Sequence, residues 1–291
     1  MSTSPTLGRL EQVDLRKVWQ KNTEEERLLG VSLTGIMDNR AMAGEIDNDV
    51  ELAETFGQRH YEEGSLSDVL FKLKKTAIAT NAEWAARLNI PVSTAITCVK
   101  PSGTVSQLVD SASGIHARHS AYYIRGVTCD NKDPLTQFMK DQGIPSEPHA
   151  TKPHDMTVFS FPQKSPDGAV TRNDKTAIEQ LALWMKYQKE WCEHKPSVSI
   201  SVKDHEWLEV GAWVYKHFDE VSGVSFFPHS DHSYRQAPYQ DCTEQEYKTL
   251  LGLMPERIDW SKLSEYETED TSKGTSTFAC VGGSCEIVDL V

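Results

Sequence analysis

The sequence predicts an α/β fold in which short strands alternate with longer helices. Three observations predict it. Apolar residues recur at helical spacing from Leu66 to Leu88. Polar and apolar residues alternate with the period of a strand from Ser197 to Val202. The composition, with 38% hydrophobic residues and 17 glycines, is that of an ordinary soluble globular protein. Strands that alternate with helices of about ten or more residues indicate an α/β sheet or barrel with crossover connections.

The first predicted elements lie between residues 23 and 99. Thr23 to Glu26 has the spacing of a capping box, so we expect a helix to start there. Residues 29–36 alternate with the period of two that is typical of a strand, and glycines bound the stretch. We therefore predict a strand there. The helix at 66–88 is expected to end before Pro91, because proline cannot continue a helix. The β-rich residues 92–99 predict a second strand.

The later part of the chain continues the alternation of strands and helices. The strands are predicted at 157–161, ended by Pro162, at 197–202, and at 224–227, ended by Pro228. The helices are predicted to start at Asp174, at Asp204 and, with a second capping box, at Thr243.

Charge and composition exclude several classes of partner. The formal net charge is −13, and an acidic chain repels phosphate backbones, so we expect neither DNA nor RNA nor an anionic membrane surface as a partner. No apolar run approaches the roughly 18 residues of a membrane span. The first residues lack the basic-then-apolar pattern of a secretory signal, and four of the six cysteines are dispersed. We therefore expect a reducing, cytoplasmic compartment.

Two cysteines near the C-terminus, Cys280 and Cys285, are separated by a Val-Gly-Gly-Ser segment. A disulfide needs Cα atoms within about 4.4–6.8 Å, and the two glycines allow the chain to fold back. Residues 264–277 are rich in Ser, Thr, Glu and Asp and contain no aliphatic residue, which predicts a mobile tether. The pattern favours thiol–disulfide exchange at a distance, with free surface cysteines or half of a metal site as the alternatives.

Pro101, Ser102, Gly103 and Thr104 follow the strand predicted at 92–99. A turn there would expose backbone N–H groups and hydroxyl donors, and glycine would allow close approach of an anion. If a helix followed the turn, the positive end of its dipole would also attract the anion. An ordinary turn at a helix start is the alternative. The stretch is not a Walker-type loop, because G-x-x-x-x-G-K-[ST] is absent.

Three further clusters carry weaker signals. Residues 116–125 combine cations with aromatic rings, and they could line an anionic ligand site or form a buried polar network that fixes a loop. Residues 191–194 and 229–232 pair histidine with cysteine or with a second histidine at spacings that are weak for a metal. We therefore expect packed or solvated histidines and no metal site. No G-x-S-x-G elbow supports a serine hydrolase.

Taken in order, these pieces resemble the large chain of ribonucleotide reductases, in particular the monomeric, adenosylcobalamin-dependent class II ribonucleoside-triphosphate reductases. The resemblance extends over nearly the whole chain from about Glu25 onward. The stretches that carry it are residues 26–38, 99–106, 114–116, 122–125, 191–198, 224–228, 237–239 and the tail with Cys280 and Cys285.

The resemblance implies a fold and a division of the chain. It implies the C-terminal part of a ten-stranded α/β barrel with a flexible C-terminal redox tail. Residues 1–22 would then be a polar lead-in, residues 23–262 the barrel portion, and residues 263–291 the tail with its cysteine pair.

The resemblance also implies a chemistry. Such enzymes convert ribonucleotides to deoxyribonucleotides by thiyl-radical chemistry, with adenosylcobalamin as the cofactor of class II. By position, Cys280 and Cys285 match the thiol shuttle, and Pro101, Ser102, Gly103 and Thr104 match the loop that binds substrate phosphates. The implied partners are the ribonucleotide substrate and a thioredoxin-type reductant.

One departure from the family pattern bears on completeness. The Asn-x-Cys-x-Glu segment is absent, and the four dispersed cysteines match no catalytic position of the family. The chain is therefore expected to be incomplete without an N-terminal reductase fragment that carries the radical cysteine. The alternatives are a class I large-subunit fragment and a non-catalytic nucleotide-binding or assembly module.

Overall fold

The computed structural model describes residues 16–45, 63–100, 102, 105–229 and 235–267, and the backbone alone of residues 52–55, 58–60, 278–281 and 284–287. The chain divides into two compact units. The first comprises residues up to 121 together with 164–232, and the second comprises residues 122–163 together with those from 233 onward. Within the described ranges, no helix is long and apolar enough to cross a bilayer.

The described residues form the following helices and strands. The α-helices are α1 Lys17–Glu26, α2 Leu66–Leu88, α3 Pro134–Asp141, α4 Ala177–Glu190, α5 Trp207–Lys216, α6 Glu244–Leu253 and α7 Leu263–Tyr266. The strands are β1 Val31–Ser32, β2 Leu52–Thr55, β3 Gln58–His60, β4 Thr97–Cys98, β5 Tyr122–Asp130, β6 Ser146–Pro148, β7 Met156–Lys164, β8 Ser197–Val202, β9 Gly223–Pro228, β10 Tyr239–Asp241, β11 Phe278–Val281 and β12 Ser284–Ile287. Short 3₁₀ helices lie at Ile36–Asp38, Val105–Val109 and Trp260–Lys262.

Parallel strand pairs organise the first unit. β1 pairs with β4, and β8 pairs with β9, both in parallel. The N–H of Ser197 donates to the carbonyl of Val99 at 3.3 Å, which links the two pairs just beyond β4. Parallel strands end at the same edge of a sheet, so the segments that follow them gather there.

Helix α4 supplies a larger share of the buried core of the first unit than any other described element does. A capping box begins it, in which Thr176 and Glu179 satisfy each other's backbone N–H groups. Its side chains Leu181, Trp184 and Tyr187 are fully buried against strand residues that include Ile200. Burying side chains of this size is the main source of stability of the unit.

The second unit is built on a four-stranded sheet of order β10-β5-β7-β6. β10 is antiparallel to β5, and β6 is antiparallel to β7. Phe138 of α3 and Phe159 of β7 are fully buried in its separate small core. The ring of Tyr266 packs edge-on against Phe138 at 5.5 Å, so the described beginning of the predicted tether is packed rather than mobile. Its continuation, residues 268–277, lies outside the described residues.

Several sequence predictions are confirmed. Helix α2 spans the predicted residues and ends at Asn89, two residues before Pro91. Strand β8 occupies the predicted residues, and β9 extends the predicted strand by one residue at each end. The second capping box begins α6, with Thr243 and Glu246 in the expected roles.

Other predictions at helix ends are wrong. Thr23 does not begin a helix; it lies inside α1, where its hydroxyl donates to the carbonyl of Trp19 at 2.9 Å. Helix α1 also runs across the predicted boundary at residue 22, whereas residues 1–15 lie outside the described part of the chain. Asp174 accepts from the N–H of Thr171 at 2.7 Å and caps a turn, while Thr176 caps the helix. Asp204 lies ahead of the helix, whose N-cap is Glu206.

The strand predictions need three corrections. The alternation at 29–36 gives a strand of only two residues, β1, followed by a 3₁₀ turn. Of the residues 92–99 predicted as a strand, only Thr97–Cys98 form one, β4. Pro162 does not end β7, which continues to Lys164. The architecture is a mixed α/β fold as predicted, with parallel pairs and an antiparallel sheet among the described residues. That these strands are part of a ten-stranded barrel stays a prediction.

Candidate functional site

Ser102 is the residue of the predicted phosphate loop that lies within the described part of the chain; Pro101, Gly103 and Thr104 lie outside it. The N–H of Ser102 donates to the hydroxyl oxygen of Ser113 at 2.9 Å, and the two hydroxyls are 3.0 Å apart. The carbonyl of Ser102 accepts from the N–H of Val105 at 3.0 Å. Ser102 is therefore held in place by a second segment of the chain.

A 3₁₀ helix of five residues, Val105–Val109, follows Ser102. The sequence predicted that the N-terminus of a following helix would attract an anion. The structure does not support this, because a single short 3₁₀ helix aligns too few peptide dipoles. Any anion binding by this segment would depend on its own N–H and hydroxyl groups.

The segment that holds Ser102 comprises residues 110–118, and we call it the holding segment. Gly114 allows it to lie against the end of β4. Gly114 has φ +55°, and a Cβ built on it would lie 2.9 Å from the carbonyl oxygen of Lys100. Its N–H donates to the hydroxyl of Thr34 at 3.0 Å, and that hydroxyl donates to the carbonyl of Ala112 at 2.9 Å. The segments that follow β1 and β4 are thus joined at the carboxyl edge of the parallel strands.

Arg118 fixes the end of this holding segment. Its side chain is 3% exposed. Its Nε and Nη2 donate to the two carboxylate oxygens of Asp38 at 2.7 and 2.9 Å, and its Nη1 donates to Asp110 at 3.1 Å. The second oxygen of Asp38 also accepts from the N–H of Ala112 at 2.8 Å. A two-pronged, buried contact of this kind is strong and directional.

His116 also has both ring nitrogens engaged. Nδ1 lies 2.9 Å from the carbonyl oxygen of Ser113, and Nε2 accepts from the N–H of Ser199 in β8 at 3.1 Å. Burial lowers the pKa of His116, which favours the neutral ring. Of the two interpretations of residues 116–125, the geometry at His116 and Arg118 supports the polar network that fixes a loop.

The motif at 191–194 holds the start of β4 in place. The indole N–H of Trp191 donates to the carbonyl of Cys98 at 2.7 Å. The carboxylate of Glu193 accepts from the N–H groups of Ile96 and Thr97 at 2.8 and 3.2 Å. Each of these groups has a structural partner, so the motif serves to position β4.

The second histidine motif is only partly described. Nδ1 of His229 lies 2.8 Å from the hydroxyl oxygen of Ser201, and His232 lies outside the described residues. In the part of the chain that the structure covers, no three His, Cys, Asp or Glu side chains come together as a metal site.

The dispersed cysteines are in environments that suppress reactivity. Cys98 and Cys192 are buried. Burial, with the neighbouring Cys98 thiol as a second cause, raises the pKa of Cys192 from its ordinary 9.0 to about 12. Burial also raises the pKa of Cys129 and of Cys242. Because the thiolate is the reactive form, these four cysteines are poor candidates for thiol chemistry.

The C-terminal cysteines lie on a hairpin of which the backbone is described. β11 and β12 are antiparallel, and Cys280 is directly opposite Cys285 in their register. Cα atoms of directly opposed residues in an antiparallel pair are about 4.5–5.5 Å apart, which is within the range that a disulfide spans. The backbone thus brings together the two residues that the sequence predicted to act as a pair.

Sequence reasoning missed the residues that hold Ser102. Thr34, Asp38 and Ser113 come from stretches that carried the family resemblance or adjoin one, but no role was assigned to them. Ser199 gave no signal, because it appeared only as a polar position in an alternating strand.

Comparison with known proteins extends over nearly the whole chain. A probable adenosylcobalamin-dependent ribonucleoside-triphosphate reductase of Dictyostelium discoideum is 29% identical over 290 residues, covering 97% of this chain and 34% of that protein. The adenosylcobalamin-dependent ribonucleoside-triphosphate reductase of Lactobacillus gasseri is 26% identical, covering 94% of this chain and 37% of that protein. No protein-family model matches the chain.

A solved structure shows the same fold. The crystal structure of a B12-dependent, class II ribonucleotide reductase matches with a TM-score of 0.70 at 20% identity, covering 88% of this chain and 36% of that one. This chain therefore spans about a third of the length of the proteins it matches. The comparisons confirm the resemblance predicted from the sequence: nearly all of this chain is similar to a part of adenosylcobalamin-dependent, class II ribonucleotide reductases.

Proposed function

We propose that this chain is part of a class II ribonucleoside-triphosphate reductase, to which it contributes the substrate phosphate loop and the thiol shuttle. The observation that carries the proposal is the similarity to such reductases along 94–97% of the chain. The names of these relatives favour class II over the class I alternative. The remaining two-thirds or so of a relative's length would supply the radical cysteine.

The position of Ser102 supports a phosphate site. Ser102 follows β4 at the carboxyl edge of parallel strands, the edge at which open α/β sheets bind ligands. Its N–H and its hydroxyl both donate to Ser113 Oγ, so the hydroxyl would have to turn from Ser113 to the phosphate, where groups of Gly103 and Thr104 would be the other donors. The substrate would be a ribonucleoside triphosphate, whose phosphates need donors held in fixed positions.

The register of the C-terminal hairpin supports the shuttle. In the proposed step, the Cys280 and Cys285 dithiol transfers two electrons and two protons to a disulfide of the active site, which becomes two thiols. Cys280 and Cys285 become a disulfide, and a thioredoxin-type dithiol restores them by the same exchange. Exchange of this kind requires two sulfurs that can pair, which the directly opposed positions allow.

Adenosylcobalamin would supply the radical that begins the reaction. His116 and His194 do not fit as ligands of its cobalt, since both ring nitrogens of His116 have partners and Nε2 of His194 lies 2.6 Å from the carbonyl oxygen of Leu29. We assign none of the described residues to the cofactor.

Substitution of the two terminal cysteines tests the shuttle. In the complete reductase, reconstituted with the missing segment and adenosylcobalamin, we expect Cys280→Ser and Cys285→Ser each to abolish turnover driven by thioredoxin. Turnover driven by dithiothreitol should persist, because a small dithiol reaches the active site directly. Cys242→Ser is the matched control, since it removes a thiol from the same unit without touching the pair.

Two outcomes would contradict the proposal. Equal loss of turnover with both reductants would show that the pair has another role. Nucleotide reduction by this chain alone, with cobalamin and dithiothreitol present, would show that no further segment is needed.

A further inference from the structure

A series of hydrogen bonds connects Ser102 to strand β8. The N–H of Ser102 donates to Ser113 Oγ at 2.9 Å, the carbonyl of Ser113 lies 2.9 Å from His116 Nδ1, and His116 Nε2 lies 3.1 Å from the N of Ser199. Ser102 and Ser113 are 11 residues apart, and His116 and Ser199 are 83 apart. The series therefore joins a loop to a distant strand rather than closing a local turn.

The chemistry of the two partners fixes the proton on the His116 ring. A carbonyl oxygen can only accept, so Nδ1 carries the proton and donates to Ser113. A backbone N–H can only donate, so Nε2 is unprotonated and accepts from Ser199. This is a neutral ring in a single tautomer, and the lowered pKa of His116 agrees with it.

The ends of the segment that carries Ser113 and His116 are independently fixed. Arg118 is held by the carboxylate of Asp38, and Gly114 lies against the carbonyl of Lys100. Ile115, between the two relay residues, is 2% exposed in the core. A relay anchored in this way can hold Ser102 in one position at little further entropic cost.

We propose that Ser113 and His116 are positioning residues that fix Ser102 against β8 through this relay, and thereby preorganise the phosphate loop. They would act through the N–H and the hydroxyl of Ser102, which both donate to Ser113 Oγ. The consequence for phosphate binding rests on the proposed function, whereas the relay itself does not.

Amide hydrogen exchange of the whole chain, measured by NMR, tests the relay without any ligand. In His116→Ala we expect exchange at the N–H groups of Ser102 and Ser199 to rise by up to about fivefold, the factor for a hydrogen bond of about 1 kcal/mol in a partly buried site. The rise should be smaller at Ser102, because the backbone N–H of His116 still donates to the carbonyl of Ser113. The N–H of Gln180, in the first turn of α4, is the internal control and should not change. Unchanged exchange at Ser102 in the folded variant would overturn the proposal.

Two conservative variants separate the halves of the relay and serve if His116→Ala does not fold. His116→Asn places an amide N–H near the position of Nδ1, so it should retain protection at Ser102 and lose it at Ser199. His116→Gln places an amide oxygen near the position of Nε2, so it should retain protection at Ser199 and lose it at Ser102. The same exchange pattern in both variants would overturn the relay.

Binding of inorganic tripolyphosphate, measured by calorimetry, tests the consequence. We expect the dissociation constant of His116→Ala to be higher than that of the wild-type chain by up to about fivefold, with partial rescue in His116→Asn. Equal affinity of the wild-type and His116→Ala chains would overturn the preorganising role. If the wild-type chain bound no tripolyphosphate while the exchange pattern was as expected, the proposed phosphate site would be contradicted and the relay would be supported.

Discussion

Gly114 shows how one backbone position controls the candidate site. Its φ of +55° is strained for any residue with a Cβ, and the added carbon would lie 2.9 Å from the carbonyl oxygen of Lys100. Because that oxygen belongs to the backbone, the segment itself would have to move. The contact of residues 110–118 with the end of β4 therefore depends on the absence of a side chain.

We expect Gly114→Ala to lower the free energy of unfolding by roughly 1–3 kcal/mol, from the strained φ together with the close approach. Urea unfolding measures the change. Gly211→Ala is the matched control in the same unit, since Gly211 lies in α5 with open space around it. Alanine there should stabilise by up to about 1 kcal/mol. A Gly114→Ala chain as stable as the wild type would contradict the strain argument.

A second prediction at this scale concerns Cys192. Its pKa is raised to about 12 in the folded chain, from 9.0, so the folded state holds this proton more tightly than the unfolded state does. The resulting stabilisation is fully present below pH 9 and is lost as the pH rises toward 12. The free energy of unfolding should fall by up to ~1.4 kcal/mol per pH unit across that window.

Guanidinium unfolding at a series of pH values checks this dependence. Cys192→Ala removes the group, so its slope above pH 9 should be shallower than that of the wild type. Parallel slopes would show that the thiol is not the cause. Alkylation of the native chain at pH 8 should also leave Cys98 and Cys192 unmodified, because both are buried.

Residue-scale prediction from the sequence succeeds where the signal is local. The Cys280 and Cys285 pair was found because two glycines between two cysteines predict a turn, and the backbone register places the two opposite each other. The relay through Ser113 and His116 could not be found, because its bonds join residues 11 and 83 apart. Only the fold brings such residues together.

At the scale of the element, helix α4 depends on its N-cap. Thr176 accepts from the N–H of Glu179, and the Glu179 carboxylate accepts from the N–H of Thr176 at 2.7 Å. We expect Thr176→Ala to destabilise the chain by about 0.5–2 kcal/mol, because the N–H of Glu179 loses its acceptor and the Glu179 carboxylate loses the hydroxyl donor. Thermal unfolding measures the change.

Thr176→Ser retains the hydroxyl and is the control. It should lie within about 0.5 kcal/mol of the wild type, since serine is as good an N-cap as threonine. Serine and alanine variants of equal stability would show that the box does not stabilise α4.

Predictions of helices and strands failed where one residue pattern fits more than one structure, or where the pairing with neighbouring strands decides the outcome. The spacing of Thr23 and Glu26 fits a helix start, but it also occurs inside a helix, and α1 extends on both sides of Thr23. Pro162 is tolerated in β7 because it lies beyond Thr157–Phe159, the residues that pair with β6. Strand β5 was not predicted, since its burial does not alternate along the strand.

At the scale of the whole molecule, α2 presents more apolar surface than the described part of the chain covers. Its buried positions, which include Leu66, Leu70 and Ala85, form a narrow stripe. Apolar side chains flank that stripe on both sides and are 38–50% exposed. They are Leu73 and Trp84 on one side and Phe71 and Ile78 on the other. Exposed apolar side chains grouped on one side of a helix in this way indicate an interaction surface.

The last prediction follows from this face. If the chain is part of a longer reductase, the face would be covered by the remaining segment, and without that segment it would drive self-association. We expect sedimentation equilibrium of the isolated chain to show an average mass that rises with concentration.

The double variant Ile78→Glu/Trp84→Glu should remain at the monomer mass, because two buried charges would oppose contact through this face. Ala79→Glu/Ala86→Glu adds the same charge to exposed positions on the opposite side of α2 and should associate like the wild type. A wild-type chain that stays monomeric at the highest concentration would contradict the role of this face, and equal behaviour of the two double variants would assign the effect to net charge alone.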